Sequence, residues 1–403
     1  MSEHGDAETD QPDEAAEEKA DEKSAAMPAE SVDAVDDTAA EDTAADGTPA
    51  EPAAEPPRQR RGPLSRRAWT LIVSLVLVLA LGGIGGFVQI PYVALGPGPT
   101  FDTLGSVDGA QVVSVSGHQT YPTAGQLRMV TVSLTDQVTL FGALGLWMSG
   151  RYALAPREDY YQPGESQQQV EQQNTQQFQQ SQSNAEVAAL RYLRYPVQVL
   201  AAQIVSDSPA ARLIQAGDQL ITVNGQQINS VEDVYNALTN TTPGQPVGLT
   251  VRTGDQPQRS FQVKLGSRSD RRNGFLGVSP AANAVAPFKV NIELDNVGGP
   301  SAGLMFALAI VDKLTKDNVN DGLTVAGTGE IDDLGDVSQI GGIPFKLIAA
   351  REAGATVFLT PADNCAEAAS HVPAGLRLVK VTTLTSAIQE LHALAAGQPV
   401  PGC

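Results

Sequence analysis

The chain of 403 residues has little cysteine and few aromatic residues: it contains two Cys, and Phe, Trp and Tyr together make up 5% of it. Two cysteines are too few for a disulfide-rich scaffold or a multi-cysteine zinc site, and the four His do not lie at the spacing of metal ligands. The sequence also lacks the G-x-x-x-x-G-K-[ST] loop that cradles nucleotide phosphates. We therefore expect neither a metal nor a cofactor in this chain.

Basic residues are also scarce, and they are unevenly placed. The chain has 46 acidic and 26 basic side chains, which gives a net charge of −20. Residues 1–57 hold 19 of the acidic side chains and two Lys, with no aromatic residue, so we predict a disordered acidic tail that either solvates the chain or binds a partner. Residues 58–67 form a basic juxtamembrane cluster with five Arg and no acidic residue. Because no other basic face remains, a nucleic-acid binder is not expected.

Charged residues are absent from residues 68–88, the one apolar run in the chain that reaches 18 residues. As a helix rising ~1.5 Å per residue, this run spans about 30 Å, the thickness of a bilayer core. A cleaved signal peptide is the alternative, but nearly seventy residues precede the run, which favours a retained transmembrane helix. Five Arg precede the run, whereas residues 89–127 contain no Lys or Arg. The positive-inside rule then predicts a single-pass protein of the cell membrane, with a cytoplasmic N-terminus and residues 89–403 extracytoplasmic.

The outer region divides into three segments by pattern. Residues 89–195 contain strand-like runs and a Gln-rich stretch, which is either a flexible connection or the polar start of a helix. Residues 196–266 alternate strands, tight turns and short helices. Residues 272–403 alternate strands and helices, as α/β and α+β domains do. The two cysteines, Cys365 and Cys403, both lie in this outer region, where a disulfide between them is permitted.

Residues 208–238 (SPAARLIQAGDQLITVNGQQINSVEDVYNAL) combine a short helix, a strand with a tight turn, and a second helix that Ser230 can cap. This run resembles the PDZ domains of bacterial envelope proteases. The resemblance implies a β-rich, partly open barrel that binds an extended peptide or a C-terminus by strand addition, in a groove between its first strand and helix 230–238. No GLGF-like loop precedes the first strand, which argues against carboxylate capture. A purely structural spacer is the alternative.

Two glycine-rich segments bring chemistry-bearing residues to the starts of predicted helices. The segment GGPSAG places Ser301 at the start of a helix over 301–315, where N–H groups and the helix dipole stabilise a developing oxyanion. The second segment ends in Lys346, which lies in an apolar run (IPFKLIAA). Burial disfavours the ammonium form, and a neutral lysine can accept the proton of a serine hydroxyl. Serine with lysine is a known variant of the serine–histidine–aspartate triad.

Residues 288–361 resemble the proteolytic domain of Lon-type proteases. The resemblance is carried by GGPSAG (298–303) and by TGEIDDLGDVSQIGGIPFKLIAAREAG (328–354). It implies an α/β (α+β) proteolytic domain over residues 272–403. The order of segments as a whole is similar to that of a family of membrane-anchored bacterial proteins with a PDZ domain before a Lon-like domain. The resemblance also implies a homo-oligomer.

The resemblance assigns roles residue by residue. It implies Ser301 as the nucleophile and Lys346 as the general base, and it implies that the hydroxyl of Thr328 supports the lysine. Gly299 and Ala302, which lie beside the serine in the motif, are candidates for supporting residues. The acidic residue that commonly precedes the motif in ATP-driven Lon is replaced by Gly298, so a carboxylate has no role there.

The predicted function is therefore ATP-independent proteolysis. The chain lacks an ATP-binding loop, which leads us to expect a membrane-anchored serine endopeptidase, a hydrolase that cleaves extracytoplasmic proteins with PDZ-assisted substrate recognition. The alternative from another class is a catalytically silent scaffold or sensor that binds envelope proteins. Two other serine hydrolases remain as minor alternatives. One is a membrane-bound signal peptidase, and the other is an α/β-hydrolase in which Asp363 and either His371 or His392 complete a triad with Ser301.

Overall fold

The computed structural model describes residues 65–161, 164–295 and 297–403. The predicted acidic tail and all but the last three residues of the basic cluster lie outside the described residues. The helices are α1 (Arg66–Phe87), α2 (Leu140–Met148), α3 (Gln167–Tyr192), α4 (Val231–Thr239), α5 (Gly303–Leu314), α6 (Ile343–Glu352), α7 (Cys365–Ala369) and α8 (Leu384–Ala395). The strands are β1 (Tyr92–Asp102), β2 (Ser106–Val107), β3 (Ala110–Gln111), β4 (Val113–Ser116), β5 (Gln126–Thr135), β6 (Ala153–Pro156), β7 (Val197–Ile204), β8 (Gln219–Val223), β9 (Gln226–Gln227), β10 (Pro246–Arg252), β11 (Arg259–Lys264), β12 (Gly266–Arg268), β13 (Arg271–Phe275), β14 (Val278–Ala284), β15 (Lys289–Ile292), β16 (Thr324–Gly327), β17 (Glu330–Ile331), β18 (Val337–Ser338), β19 (Val357–Pro361) and β20 (Arg377–Val381).

Helix α1 contains the predicted apolar run. Ser65 caps it by accepting the N–H of Ala68, and the helix then continues through 22 residues of which Gly85 alone is buried. An apolar helix that exposes nearly all of its side chains cannot be the core helix of a soluble domain. Among the described residues it is the one helix that is long and apolar enough to cross a membrane.

The larger sheet has six strands in the order β20-β19-β16-β5-β1-β6. The first four are parallel, whereas β1 and β6 are antiparallel to their neighbours. The buried helix α5 lies in the core beside this sheet, and α6 packs against β1 and β5. The predicted α/β (α+β) class is confirmed.

This sheet joins two regions that are far apart in the sequence. Strand β5 pairs with β1 on one side and with β16, nearly 200 residues later, on the other. The alternating run in β5 buries Leu127, Met129 and Val130. The strand-like segment within 89–195 is therefore part of the same folded body as the residues from 288 onward.

Helix α3 resolves the two alternatives for the Gln-rich stretch in favour of a helix. Ser166 and Gln169 form a capping box at its start, and the helix continues without a break to Tyr192. Phe178, Ala185 and Ala189 are buried on one face, which packs against α5. Spacings of seven and four residues keep these side chains on one helical stripe, so tertiary packing holds a helix whose intrinsic polarity is high.

The second sheet has the order β11-β10-β8-β7-β14, with β9 beside β8. It encloses a separate apolar core that includes Leu220, Val247 and Leu249. The β-rich fold predicted for this segment is confirmed. The predicted peptide groove beside its first strand is wrong, because β7 pairs with β8 on one side and with β14 along its whole length on the other. The sheet has edge strands β11 and β14, and helix α4 lies next to β14.

A disulfide joins Cys365 at the start of α7 to Cys403, at a sequence separation of 38. The backbone of the last segment is also held by a hydrogen bond from Lys380 N–H to the carbonyl of Pro401. The disulfide ties the last residue to α7, and the hydrogen bond holds the preceding residues against strand β20.

Candidate active site

Ser301 lies in the loop that leads into α5. Its carbonyl oxygen accepts the N–H of Gly329 at 2.9 Å and the hydroxyl of Thr328 at 3.0 Å. In return, Leu304 donates its N–H to the carbonyl of Gly329 at 3.2 Å. The serine is thus tied to the chain just beyond β16, so its side chain has little freedom to drift from the end of that strand.

Helix α6 delivers Lys346 to the same place. The helix begins directly after Gly342, whose left-handed φ of 71° and close approach to Val132 both require glycine, and Pro344 occupies the first turn. Lys346 in this turn is only 3% exposed. Its Nζ lies 2.8 Å from Oγ of Ser301 and 3.0 Å from Oγ1 of Thr328.

Thr328 orients the lysine. Because its hydroxyl hydrogen is donated to the carbonyl of Ser301, its oxygen lone pairs are left to accept a hydrogen from Lys346. One Nζ hydrogen is thereby directed away from Ser301. The structure therefore brings together Ser301, Lys346 and Thr328, the three side chains that the resemblance implies.

Burial changes the charge of the lysine. It lowers the pKa of Lys346 from 10.5 to about 7. Desolvation is the one cause, and no carboxylate within the described part of the chain forms an ion pair with this side chain. Since a nearby carboxylate would favour the ammonium form, its absence keeps the amine available as a base near neutral pH.

The backbone around Ser301 contains the donors for an oxyanion. Gly299 donates its N–H to the carbonyl of Asn174 at 2.9 Å. This predicted supporting residue therefore holds the loop against α3, and its N–H is not available to an oxyanion in the cleft. The N–H groups of Ser301 and Ala302, in contrast, donate to no other protein group within the residues that the structure describes. They lie at the N-terminal end of α5, where the helix dipole favours negative charge.

Two residues of α3, Ser181 and Asn174, support the nucleophile loop, and the sequence motifs did not predict them. Ser181, 3% exposed, donates its hydroxyl to the carbonyl of Pro300 at 2.8 Å, and Asn174 lies against the loop so closely that a Cβ on Gly298 would come within 2.8 Å of its own Cβ. This contact leaves no room for a side chain at position 298. The signal that could have identified them is their polarity, since they lie on a face of α3 that is otherwise apolar.

The cleft above Ser301 and Lys346 has a volume of about 450 Å³ and is also bordered by residues 129–132 of β5. A groove of about 1210 Å³ continues from it and shares Pro99, Val297 and Gly298 with it. Helix α3 forms one wall of this groove. Four carboxylates line it and no Lys or Arg does: they are Asp108, Glu171, Glu293 and Asp295.

The residues of the α/β-hydrolase alternative lie elsewhere. His371 is exposed and its Nδ1 is 2.9 Å from Oγ of Ser370, and Asp363 is also exposed. Neither these residues nor His392 borders the cleft. Lys346 is the titratable side chain that touches Ser301.

Residues 296–395 match the family model of the Lon protease (S16) C-terminal proteolytic domain, and this range includes Ser301, Thr328 and Lys346. The chain carries a Lon-type proteolytic domain. Residues 168–265 match the family model of the PDZ domain, so the chain also carries a PDZ domain. The Lon-type domain is the catalytic domain of a serine peptidase family, and no nucleotide-binding loop accompanies it in this sequence.

Among curated relatives, the Lon protease of Heliobacterium modesticaldum is 32% identical over 160 residues, which cover 38% of this chain and 19% of that protein. Lon protease 1 of Bacillus subtilis is 31% identical over 183 residues, which cover 44% of this chain and 23% of that protein. The chain thus spans about a fifth of the length of these relatives. The PDZ domain of an SdrC-like protein from Listeria monocytogenes is 21% identical, with a TM-score of 0.19, over 21% of this chain and 86% of that one.

Proposed function

We propose that this chain is an ATP-independent serine endopeptidase in which Ser301 and Lys346 form the catalytic dyad. The observation that carries the proposal is the 2.8 Å distance between Lys346 Nζ and Ser301 Oγ, in a lysine whose pKa is lowered to about 7. A lysine that is neutral near pH 7 and in contact with a hydroxyl meets both requirements for a general base, namely geometry and protonation state.

Acylation proceeds in two proton transfers. Lys346 takes the hydroxyl proton of Ser301 as Oγ attacks the peptide carbonyl carbon, and the N–H groups of Ser301 and Ala302 stabilise the resulting oxyanion. The intermediate collapses with cleavage of the C–N bond, and the ammonium of Lys346 gives its proton to the departing amine. The acyl group remains on Oγ.

Deacylation reverses the roles. Lys346 accepts a proton from a water molecule, whose oxygen attacks the ester carbonyl. When the C–O bond to Ser301 breaks, the proton returns from Lys346 to Oγ. Thr328 holds the lysine amine in line through both half-reactions, because it binds one Nζ hydrogen while it donates to the carbonyl of Ser301.

The PDZ domain supplies substrate recognition at its edge strand β14, beside helix α4. The support is the loop before β14, where the N–H groups of Leu276 and Gly277 donate to no other protein group in the described ranges. The guanidinium groups of Arg268 and Arg271 lie 5.0 and 5.8 Å from the ring of Phe275, the residue that precedes this loop. Both also pair with Asp270, at 3.2 and 3.3 Å, so the group as a whole carries one net positive charge. Free N–H groups near a net positive charge suit a peptide carboxylate, and the free edge of β14 suits the strand that precedes it. The missing GLGF-like loop before β7 does not count against this site, because β14 and not β7 has the open edge.

The proposed setting is the outer face of the cell membrane, with α1 as a single-pass anchor and the N-terminus in the cytoplasm. The five Arg of residues 58–67 support this orientation. The disulfide between Cys365 and Cys403 supports an oxidising compartment for the Lon-type domain. The substrates are then extracytoplasmic proteins. Assembly of several copies stays a prediction from the resemblance.

Cleavage of peptides by the full chain in lipid nanodiscs tests the dyad. Ser301→Ala and Lys346→Met should each abolish turnover, and mass spectrometry of the wild type should detect an acyl adduct on the peptide that contains Ser301. Ser338→Ala, at an exposed serine of β18, and Lys380→Ala, at an exposed lysine of β20, are matched controls that should retain activity. Undiminished turnover in either dyad variant would refute the proposal. Peptide binding without any turnover would favour the silent scaffold.

A further inference from the structure

Helix α2 has no charged side chain, and its one side-chain hydrogen-bond donor is the indole N–H of Trp147. Its sequence, LFGALGLWM, consists of apolar residues and glycine from end to end. A helix that is apolar on every face is stable only where every face meets an apolar environment. In water such a helix exposes a surface that soluble proteins avoid.

One face of α2 is already covered by protein. Ala143 is buried and Leu146 is partly buried in a small apolar cluster with Ala94 and Val138. The opposite face is open in the described part of the chain, apart from the contact of Phe141 with α1. It consists of five large apolar side chains that are all exposed: Leu140, Phe141, Leu144, Trp147 (60%) and Met148 (73%). Spacings of three, four and seven residues bring them together as a continuous stripe.

The position of α2 relative to α1 shows what meets this stripe. The ring of Phe141 packs against Gly85, so closely that a Cβ on that glycine would come within 2.6 Å of it. Gly85 is less than one turn from Phe87, the last residue of α1. Helix α2 therefore lies at the level where the apolar helix α1 ends, which is the level of a membrane surface if α1 crosses the bilayer.

Charged residues stand at both ends of α2 and are held by partners on the protein. Asp136 precedes the helix and pairs with Arg157 at 3.0 Å, and Arg151 follows the helix and pairs with Glu352 at 2.8 Å. An apolar helix with tryptophan in it, bounded by charges that point back to the folded body, has the character of a segment that lies in the membrane interface.

We propose that α2 is an interfacial membrane helix whose stripe, Leu140, Phe141, Leu144, Trp147 and Met148, inserts into the outer leaflet of the same bilayer that α1 crosses. This inference rests on the proposed anchoring by α1. A second copy of the chain is a less suitable occupant, because protein interfaces form about one hydrogen bond per 100–200 Å² and this stripe offers a single side-chain donor, the indole N–H of Trp147. Attachment at two points fixes the rotation of the Lon-type domain relative to the membrane.

The tryptophan content allows a direct test, since the chain contains two Trp: Trp69 in the first turn of α1 and Trp147 in α2. The full chain carrying Trp69→Phe is reconstituted into phosphatidylcholine nanodiscs with and without brominated acyl chains. We expect brominated lipid to reduce the emission of Trp147 about twofold or more, and dissolved acrylamide to quench it less than it quenches free tryptophan. The matched variant Trp147→Phe reports Trp69 under the same conditions.

The two variants separate the inference from the anchor on which it rests. Quenching of Trp69 by brominated lipid, without quenching of Trp147, would overturn the inference and leave the anchor standing. Lack of lipid quenching in both variants would overturn both. Protection of Trp147 from acrylamide and from lipid alike would indicate contact between copies and would also overturn the inference.

Discussion

The pKa of Lys346 sets the pH range in which the proposed general base is neutral, so the rate of acylation should follow its titration. With a pKa of about 7, the amine is neutral in about one-tenth of the molecules at pH 6 and about nine-tenths at pH 8. An unburied lysine with the ordinary pKa of 10.5 would be neutral in only about 0.03% of molecules at pH 7. Burial thus raises the active fraction at neutral pH by about three orders of magnitude.

The assay is kcat/KM for an internally quenched peptide, measured from pH 5 to pH 10 with the full chain in nanodiscs. We expect a rise of about tenfold between pH 6 and pH 8, followed by a plateau. A rate that continues to rise tenfold per pH unit through pH 9 would refute the reasoning, because it would show an unshifted lysine. Peptides with an amidated C-terminus keep the PDZ groove out of the measurement.

The same shift has a consequence for stability. Because the pKa of Lys346 is lower in the folded chain than in the unfolded one, the unfolded chain binds more protons between pH 7 and pH 10.5. The free energy of unfolding should therefore increase as pH rises through this window, by at most about 5 kcal/mol. Below pH 7 the buried lysine is protonated, and the folded state bears the whole penalty of burying an ammonium group. Lys346→Met removes this dependence. Hydrogen exchange of the α5 amides at matched pH values measures it, and equal pH slopes in the wild type and the variant would contradict the account.

Three further predictions concern the surroundings of the dyad. Thr328→Val should lower kcat about tenfold to a hundredfold, because the lysine loses its second partner, whereas Thr328→Ser should retain most of the activity. The acidic groove beside the cleft should favour basic substrates, so that peptides with Lys in place of Glu at one side of the scissile bond are cleaved about two- to fivefold faster at low salt, and Glu293→Gln should reduce the preference. A peptide with a free C-terminal carboxylate should bind the PDZ domain about tenfold more tightly than its amide in a fluorescence-anisotropy titration.

Each of these predictions has an outcome that contradicts it. Equal kcat for Thr328→Val and the wild type would remove the hydroxyl from the mechanism. A preference for basic peptides that does not change with salt or with Glu293→Gln, or that changes equally with the remote control Glu367→Gln, would show that the groove carboxylates do not cause it. Equal affinity for acid and amide would place peptide binding away from the loop before β14.

The sequence predicts the elements that carry a local pattern. The run before Lys346 and the GGPSAG segment mark two helix starts, and the structure places the side chains at those starts in contact. A short motif carries this information because Gly299 and Gly342 supply the positive φ that the two turns need, and Pro344 favours a first helical turn. The sequence predicts only the second half of the helix over the Gln-rich stretch, because the first half has a capping box but few apolar residues to show a helical period.

Long-range strand pairing is where prediction from the sequence ends. Strand β5 reads as a strand, but nothing in its alternation indicates that β16 is its partner. The sequence also gives no sign that β7 pairs with β14, and the peptide groove was therefore predicted beside the wrong strand. Asn174 and Ser181 stand out as polar residues on an apolar helix face, but their partners cannot be predicted locally, because only tertiary packing places α3 beside the nucleophile loop.

The pairing of β7 with β14 also determines how the PDZ domain is joined to the rest of the molecule. Val197 at the start of β7 lies opposite Ala284 at the end of β14, and one residue further out Val285 donates its N–H to the carbonyl of Pro196 at 2.8 Å. The chain therefore enters and leaves the PDZ domain through adjacent positions, in the manner of a guest domain inserted into a host. A short turn between residues 196 and 285 would bridge the gap, so the guest can be removed or exchanged without changing the path of the host chain.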